Sequence, residues 1–246
     1  MKTPLTLTGL GAAAAGLALS VALVPTQAHA ATVVPCNNIS ALRTAINQAN
    51  ATTGVSNITL IPGCTYTLTN PNNPADTDPA GLPEITGNVR ISGMNSTITR
   101  AASASKFRIF TVLPGGTLSL TAVNVSSGAT LGIGAGILND GTLNVTDGAI
   151  RNNTASLGGG IANAGVATLT GTTISGNSAP NGNGGGILAV SGRTTLIGSR
   201  VTGNSATNGG GGIYKGGGTV SLVGALVAGN TPNNCRPVNS VFSCVN

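Results

Sequence analysis

The sequence predicts an all-β fold: a parallel β-helix of about seven coils with three short strands each, a short N-terminal helix and disulfide-bonded ends. Composition is the first indication, because 40% of the 246 residues are hydrophobic but only 7% are charged and 2% aromatic. Charge this low is unusual for a soluble domain, yet no apolar run after residue 30 reaches the ~18 residues of a membrane span. The second indication is an internal repeat, and the third is the alternation of sides within each repeat.

The repeat occupies the second half of the chain and has a period of 24 to 26 residues. One apolar column follows the glycine-rich start of each repeat and comprises Ile137, Ile161, Ile187 and Ile213. The second column comprises Val145, Leu169, Leu196 and Leu222, and the third comprises Ile150, Ile174, Val201 and Val227. Each repeat lacks the helical stretches of ankyrin or tetratricopeptide units. Three strands per coil, stacked ~4.8 Å apart on their equivalents, would bury all three columns.

A polar column accompanies the third apolar column. Three residues after each of its members comes an asparagine, at Asn153, Asn177, Asn204 and Asn230. A side-chain amide both donates and accepts, so stacked asparagines can bond to one another and to the backbone of a turn. Asparagine and the glycine that often precedes it also tolerate a left-handed corner. We therefore expect an asparagine ladder that runs along the solenoid axis.

Residues 1–30 match a secretory signal peptide. Lys2 gives a positive start, residues 5–24 are apolar, and residues 28–30 (Ala-His-Ala) fit a small-residue cleavage site. An N-terminal membrane anchor is the alternative. Cleavage would remove His29, the only histidine, and with all cysteines oxidised this excludes Ser-His and Cys-His nucleophile systems from the mature chain.

The rest of the chain divides into two caps and a body. Residues 31–54 are predicted as an N-terminal cap whose short helix has Ser40 as its N-cap and an apolar face made by Ile39, Leu42, Ile46 and Ala49. Residues 55–230 form the β-helix, from which the Pro-rich residues 71–84 protrude as a loop. Residues 231–246 form the C-terminal cap. Both caps would cover the open apolar ends of the solenoid.

Four cysteines, Cys36, Cys64, Cys235 and Cys244, indicate disulfides in an exported chain. Three pairings are possible, and the pairing of sequence neighbours would fasten one end each. A metal site with four thiolate ligands is the competing interpretation, but the sequence contains no CxxC pair.

The landmarks GGGI and [IV]-x-x-N resemble the repeats of chlamydial polymorphic outer membrane proteins. Residues 88–128 resemble the first coils of secreted bacterial members of the pectate-lyase-like superfamily, and the whole resemblance covers residues 36–230. It implies a right-handed parallel β-helix. Isoleucine or valine replaces the landmark aromatic of the chlamydial repeats. The superfamily includes lyases, hydrolases, adhesins and scaffolds, so the resemblance selects no single function.

Candidate catalytic residues are few. Asp140 and Asp147 flank the predicted strand at residues 142–146, and Arg151 is a candidate base. A glycoside hydrolase needs two carboxylates that face one substrate, and a lyase of this superfamily needs calcium-binding carboxylates and a base. Both aspartates precede glycine, which is typical of turns. A polysaccharide lyase or glycoside hydrolase is therefore the alternative function, and a non-catalytic protein is the first prediction.

The acidic residues Asp76, Asp78 and Glu84 form the one acid cluster and are candidate calcium ligands, with a Pro-rich turn as the alternative. No cofactor is expected. The glycine triplets are not phosphate-binding loops, because no GK[ST] follows them. Scattered positive charges and scarce aromatics disfavour nucleic acid, although a sequence pI near 9.7 favours mild attraction to anionic cell-wall polymers.

Residues on either side of the second column should point outward and form a flat face rich in hydroxyl groups. They are Ser119/Thr121, Asn144/Thr146, Thr168/Thr170, Thr195/Ile197 and Ser221/Val223. Such a face could contact a sugar polymer or, where Thr-x-Thr is regular, ice; threonine is also common on exposed strands for structural reasons alone. We therefore expect a secreted, extracellular, monomeric bacterial scaffold or binding protein that contacts polysaccharide, with ice or surface binding as a third hypothesis.

Overall fold

The computed structural model describes residues 31–246, so the predicted signal peptide lies outside the described residues. The fold prediction is confirmed: the chain forms an all-β parallel solenoid with one short helix, although it has about eight turns rather than seven. In chain order its elements are β1 (Thr32–Val34), α1 (Ile39–Asn50), β2 (Val55–Leu60), β3 (Thr65–Leu68), β4 (Asn88–Arg100), β5 (Phe110–Val112), β6 (Thr117–Ser126), β7 (Ile137–Asn139), β8 (Thr142–Thr146), β9 (Ala149–Arg151), β10 (Ile161–Asn163), β11 (Val166–Thr170), β12 (Thr173–Ser175), β13 (Ser178–Ala179), β14 (Ile187–Ala189), β15 (Arg193–Ile197), β16 (Arg200–Thr202), β17 (Ser205–Ala206), β18 (Ile213–Lys215), β19 (Thr219–Val223), β20 (Leu226–Ala228) and β21 (Cys235–Arg236).

A complete turn contributes one strand to each of three faces, and the first turns lack a strand on the third face. The first face stacks β1, β2, β4, β6, β8, β11, β15 and β19, and the second stacks β3, β4, β6, β9, β12, β16 and β20. The long strands β4 and β6 continue around the corner, so these two faces share one 13-stranded sheet. The third face is a six-stranded sheet of β5, β7, β10, β14, β18 and β21, and β13 pairs with β17 in the segment that follows the second face.

The pairing register stacks identical or similar apolar side chains in the core. Ile161 pairs with Ile137 on one side and Ile187 on the other, and Ile213 follows. Leu169 pairs with Val145 and Leu196, and Ile174 with Ile150 and Val201. All these side chains are buried. The three apolar columns therefore form one continuous core, in which the inward side chains of each rung pack on those of the rungs before and after it.

The four asparagines of the polar column lie on the inner side of the corner after the second face, at most 8% exposed. The side-chain nitrogens of Asn153, Asn177 and Asn204 each donate to the side-chain oxygen of the next asparagine at 2.9 Å. The same oxygens also accept the backbone N–H of the preceding asparagine at 2.9–3.0 Å. At the end of the ladder, the side-chain nitrogen of Asn230 donates to the side-chain oxygen of Asn234 at 3.0 Å. The preceding residue takes the left-handed backbone, as at Gly203 with φ +65°, and the ladder asparagines do not.

Two shorter polar columns, which were not predicted from the sequence, occupy the other corners. Between the third and first faces, Asn139 donates to Asn163 at 2.6 Å, and Asn163 donates to the Thr194 hydroxyl at 3.0 Å. Between the first and second faces, the Ser199 hydroxyl accepts the backbone N–H of Thr172 at 3.1 Å. These columns span only two or three rungs, so their sequence signal is too short to separate from ordinary turn composition.

The N-terminal end is closed by α1 and by a first rung, β1, that lies inside the predicted cap segment. The helix begins at Ile39 with Asn38 as its N-cap, whose side-chain oxygen accepts the Ala41 N–H at 2.9 Å. The prediction of Ser40 as the cap was therefore wrong, because Ser40 already lies within the helix. The apolar face of the helix packs on the core through Leu42, Ala45, Ile46 and Ala49.

Within the Pro-rich segment 71–84, residues 72–77 and Glu84 are exposed, whereas residues 80–83 are buried. The Arg43 guanidinium fastens this buried part, donating to the Gly81 carbonyl at 2.9 Å and to the Asn70 carbonyl at 2.7 Å. Desolvation lowers the pKa of Arg43 from its ordinary value. Composition predicted a loop throughout, but half of the segment packs against the solenoid.

Disulfides join Cys36 to Cys64 and Cys235 to Cys244, with Cα–Cα separations of 5.7 and 6.2 Å. Of the three possible pairings, the structure thus has the one between sequence neighbours. The first bond ties the N-terminal cap to the segment between β2 and β3. The second holds the C-terminal segment, where β21 pairs with β18 and extends the third face by one strand.

The ladder yields a stability prediction. Replacement Asn204→Ala removes an amide that bonds to Asn177 and Asn230 and leaves buried groups unpaired, so we expect a loss of about 1–3 kcal/mol. At roughly 2–4 °C per kcal/mol for a chain of this size, thermal unfolding followed by circular dichroism would resolve it.

Asn208→Ala is the matched control, because Asn208 is exposed in the loop that follows β17. Its melting temperature is expected to stay close to that of the wild type. Equal and negligible shifts for both variants would show that the amide chain contributes nothing to stability.

Candidate functional site

The outward side of the first face carries two polar columns in register. One runs through Asn57, Arg90, Ser119, Asn144, Thr168, Thr195 and Ser221. The other runs through Thr59, Ser92, Thr121, Thr146 and Thr170, and then continues as Ile197 and Val223. We call the polar residues of these two columns the polar face. Neighbouring side chains in a column are spaced ~4.8 Å apart, the distance between rungs.

A shallow groove of about 360 Å³ lies on the N-terminal part of the polar face. It crosses four rungs and is lined by Asn57, Arg90, Ile91, Ser92, Ser119, Thr121, Asn144 and Thr146. Arg90 is the one charged side chain in this lining, and no carboxylate is present. Amides and hydroxyls both donate and accept hydrogen bonds, and a guanidinium can bond a carboxylate or phosphate through two N–H groups. The groove therefore suits a polyhydroxylated ligand, neutral or anionic.

The polar face is not a regular threonine array. Thr168 and Thr170 form the one rung with threonine at both outward positions. The rung before it has Asn144, and the rung after it has Ile197. A regular array of threonine pairs that could match the lattice of ice would therefore extend over one rung only.

The structure does not bring the candidate catalytic residues together. Asp140 and Asp147 lie at opposite ends of β8, whose five residues separate their backbones by roughly 16 Å or more. Paired carboxylates of glycoside hydrolases lie about 5–9.5 Å apart. Asp147 occupies a left-handed corner with φ 52°, and Arg151 lies on the second face rather than on the first. This arrangement does not place a catalytic acid and a catalytic base where both could act on one substrate bond.

The candidate calcium residues line a second cavity, of about 280 Å³, between α1 and the segment 71–86. The Asp78 carboxylate is engaged by the buried Arg108 guanidinium and by the Thr130 hydroxyl. Asp76 accepts a hydrogen bond of 2.7 Å from Asn73. Over residues 31–246, no three Asp, Glu, His or Cys side chains form a group that could hold a metal ion. Arg108 supplies the positive charge that a cation would otherwise bring to Asp78.

None of the helices within residues 31–246 has the length and apolar character needed to cross a bilayer. The chain has no match among protein-family models, curated proteins or solved structures. No family is therefore assigned, and the likeness to pectate-lyase-like proteins and chlamydial repeats is one of motifs. The class that the structure defines is the parallel β-solenoid.

The Asp78–Arg108 contact makes a prediction that separates an ion pair from a calcium site. Asp78→Ala leaves a guanidinium buried without its carboxylate and is expected to lower stability by about 2 kcal/mol. Asp76→Ala, a substitution of the same type in an exposed residue of the same loop, is expected to change stability little. The measurement is thermal unfolding of both variants with calcium chloride and with a chelator. A calcium-dependent melting temperature lost in both variants would instead establish the metal site.

Proposed function

We propose that the chain is a secreted, extracellular bacterial β-solenoid that acts as a scaffold or binding protein and contacts cell-wall or extracellular polysaccharide through its polar face. The observation that carries the proposal is the groove across four rungs, which is lined by amides, hydroxyls and the exposed Arg90. A rigid strand platform holds these groups at fixed spacing, so a polymer with repeated hydroxyl groups can bond to several rungs at once.

Export is supported by two features. The first thirty residues have the pattern of a signal peptide, and both cysteine pairs are oxidised. Disulfides persist in oxidising compartments, which are extracytoplasmic in most organisms. N-terminal sequencing of protein recovered from the culture medium is the direct test, and the expected first residue is Ala31.

Charge also favours a cell-wall polymer over a neutral partner. Arg90 lines the groove with no carboxylate beside it in the lining, and the whole chain has a formal net charge of +6 at pH 7. A net positive charge raises the local concentration of anionic polymers and accelerates their association. We therefore expect uronate- or phosphate-containing polymers to be retained more strongly than neutral glucans, with retention that falls as salt rises.

Substitution in the groove is expected to weaken binding. Arg90→Ser removes the charged donor of the groove and is expected to reduce affinity for an acidic polysaccharide about tenfold, as loss of one charge-assisted hydrogen bond would. Affinity electrophoresis through gels with and without the polymer measures the change.

Arg151→Ser is the control for this substitution, because it makes the same charge change at an exposed residue on the second face. Its retention is expected to match that of the wild type apart from the small effect of net charge. Identical losses for the two variants would assign the binding to net charge and remove the groove from the proposal.

Catalytic turnover of a polysaccharide would contradict the proposal of a binding protein and indicate an enzyme instead. We expect no release of reducing ends and no unsaturated-uronide absorbance when the purified protein is incubated with acidic and neutral polysaccharides. Turnover that is abolished in Asp140→Ala or Arg151→Ala would identify a lyase or hydrolase. Thermal hysteresis in a freezing assay would identify ice binding instead.

A further inference from the structure

We propose that the C-terminal end of the solenoid is a docking edge for an extended, acidic polypeptide segment, which pairs with β19 and β20 and forms one further rung. This site lies at the other end of the first face from the groove and is independent of the function proposed above. Four observations carry the inference: open strand edges, incompletely covered core residues, edge strands without lysine, proline or inward charge, and a strongly one-sided charge distribution.

The strands β19 and β20 end the large sheet. Within residues 31–246, β19 pairs only with β15, and β20 pairs only with β16. The C-terminal segment adds β21 to the third face alone. The outer backbone N–H and C=O groups of β19 and β20 are therefore available to another chain.

The inward side chains of β19 are the least covered of their columns. Val220 and Leu222 are only partly buried, whereas their equivalents one rung earlier, Thr194 and Leu196, are at most 1% exposed. Val241 of the C-terminal cap packs against the last rung of the core, but the cap does not cover the inward side chains of β19 completely. One more rung would restore to this end the burial that the other rungs have.

Three devices that keep exposed strands from pairing, namely lysine, proline and inward charges, are missing from this edge, although β20 has only three residues. Neither β19, with the sequence TVSLV, nor β20, with LVA, contains any of them. Val223 and Leu226 lie beside the corner between the two strands and are 53% and 43% exposed. These features describe an edge that can accept a strand.

Charge identifies the kind of strand. Beyond Asp147 the sequence contains five basic residues and no acidic one: Arg151, Arg193, Arg200, Lys215 and Arg236. Arg193 pairs with Thr219 at the start of β19, and Arg200 pairs with Leu226 at the start of β20. A residue stacked on Thr219 or Leu226 would lie two rung spacings, about 9.6 Å, from the Cα atom of the corresponding arginine. Extended arginine and glutamate side chains can close that distance.

The same observations disfavour two other occupants. A second copy docked through its own C-terminal end would bring the same excess of basic residues, with no acidic residue beyond Asp147, to the contact, which like-charge repulsion opposes. In a head-to-tail arrangement, the open strand edges would meet α1, which packs its apolar face on the core at the N-terminal end. A lipid surface would suit the exposed apolar side chains and the positive charge. It would, however, leave the backbone groups of β19 and β20 unpaired in hydrocarbon, which is costly. An acidic polypeptide satisfies the backbone, the apolar side chains and the arginines together.

The probe is a synthetic peptide with the sequence of the last rung, residues 217–230, labelled with a fluorophore. In the acidic peptide, the positions of Thr219 and Leu226 carry Thr219→Glu and Leu226→Glu; in the basic peptide, they carry Thr219→Lys and Leu226→Lys. A third peptide adds Ser221→Pro and Leu222→Pro to the acidic one. Because successive N–H groups of a strand point to opposite sides, one of these prolines removes a donor to the edge.

Fluorescence anisotropy with the purified protein is expected to show saturable binding of the acidic peptide, about tenfold tighter than that of the basic peptide. The preference is expected to shrink as salt rises, and the proline peptide is expected to lose binding. The protein variant Arg193→Glu/Arg200→Glu is expected to invert the preference. Arg151→Glu, a single charge reversal three rungs away on the second face, is expected to retain it.

Equal affinity for the acidic and basic peptides, or undiminished binding of the proline peptide, would overturn the proposal. So would self-association of the protein in sedimentation experiments that is lost in Leu226→Lys, since the occupant would then be a second copy. Displacement of the acidic peptide by phosphatidylglycerol vesicles would identify a lipid surface instead. If the double variant does not fold, the three peptides on the wild-type protein still decide the outcome.

Discussion

In-register parallel stacking is the constraint from which the other features of this solenoid follow. Each rung packs directly on the previous one. A polar group buried at one corner therefore needs a hydrogen-bond partner at the same corner of the next rung. The asparagine amides meet this need because one group donates forward and accepts backward. Asn177 thereby satisfies the backbone of the corner and its two neighbours in the column. The shorter columns around Asn163 and Ser199 solve the same problem at the other corners.

The same stacking determines what the surface can do. Because the register repeats on the outside as well as inside, outward residues of successive rungs form columns without any selection for a binding site. The columns become a candidate site where their composition changes, as at Arg90, which replaces the small polar residues of its column. The face therefore provides a rigid array, and individual substitutions within it provide specificity. The same rigidity also keeps residues apart: Asp140 and Asp147 cannot form a shared site, because the strand between them separates them.

A solenoid is one-dimensional, so its two ends are chemically distinct from its body and from each other. At the N-terminal end, α1 covers the core with its apolar face, and Arg43 holds the neighbouring segment against it. At the C-terminal end, the cap reaches the third face and leaves the edges of β19 and β20 open. The carboxylates all lie before residue 148, so the closed end is near charge balance and the open end is positive. An open edge that is also positive attracts a different partner from a neutral one.

By itself, the sequence determined the fold class, the three apolar columns and the corner position of the asparagines, because a repeated register exposes these positions as repeated letters. It left open the cysteine pairing, and it wrongly predicted Ser40 rather than Asn38 as the helix cap and a protruding loop where residues 80–83 are buried. It also could not reveal that Arg108 neutralises Asp78, or that Arg90 joins Asn144 in one groove. These features join residues that are far apart in the chain and do not repeat. Only tertiary structure decides them, because the distance between two side chains in different rungs depends on how the intervening loops fold.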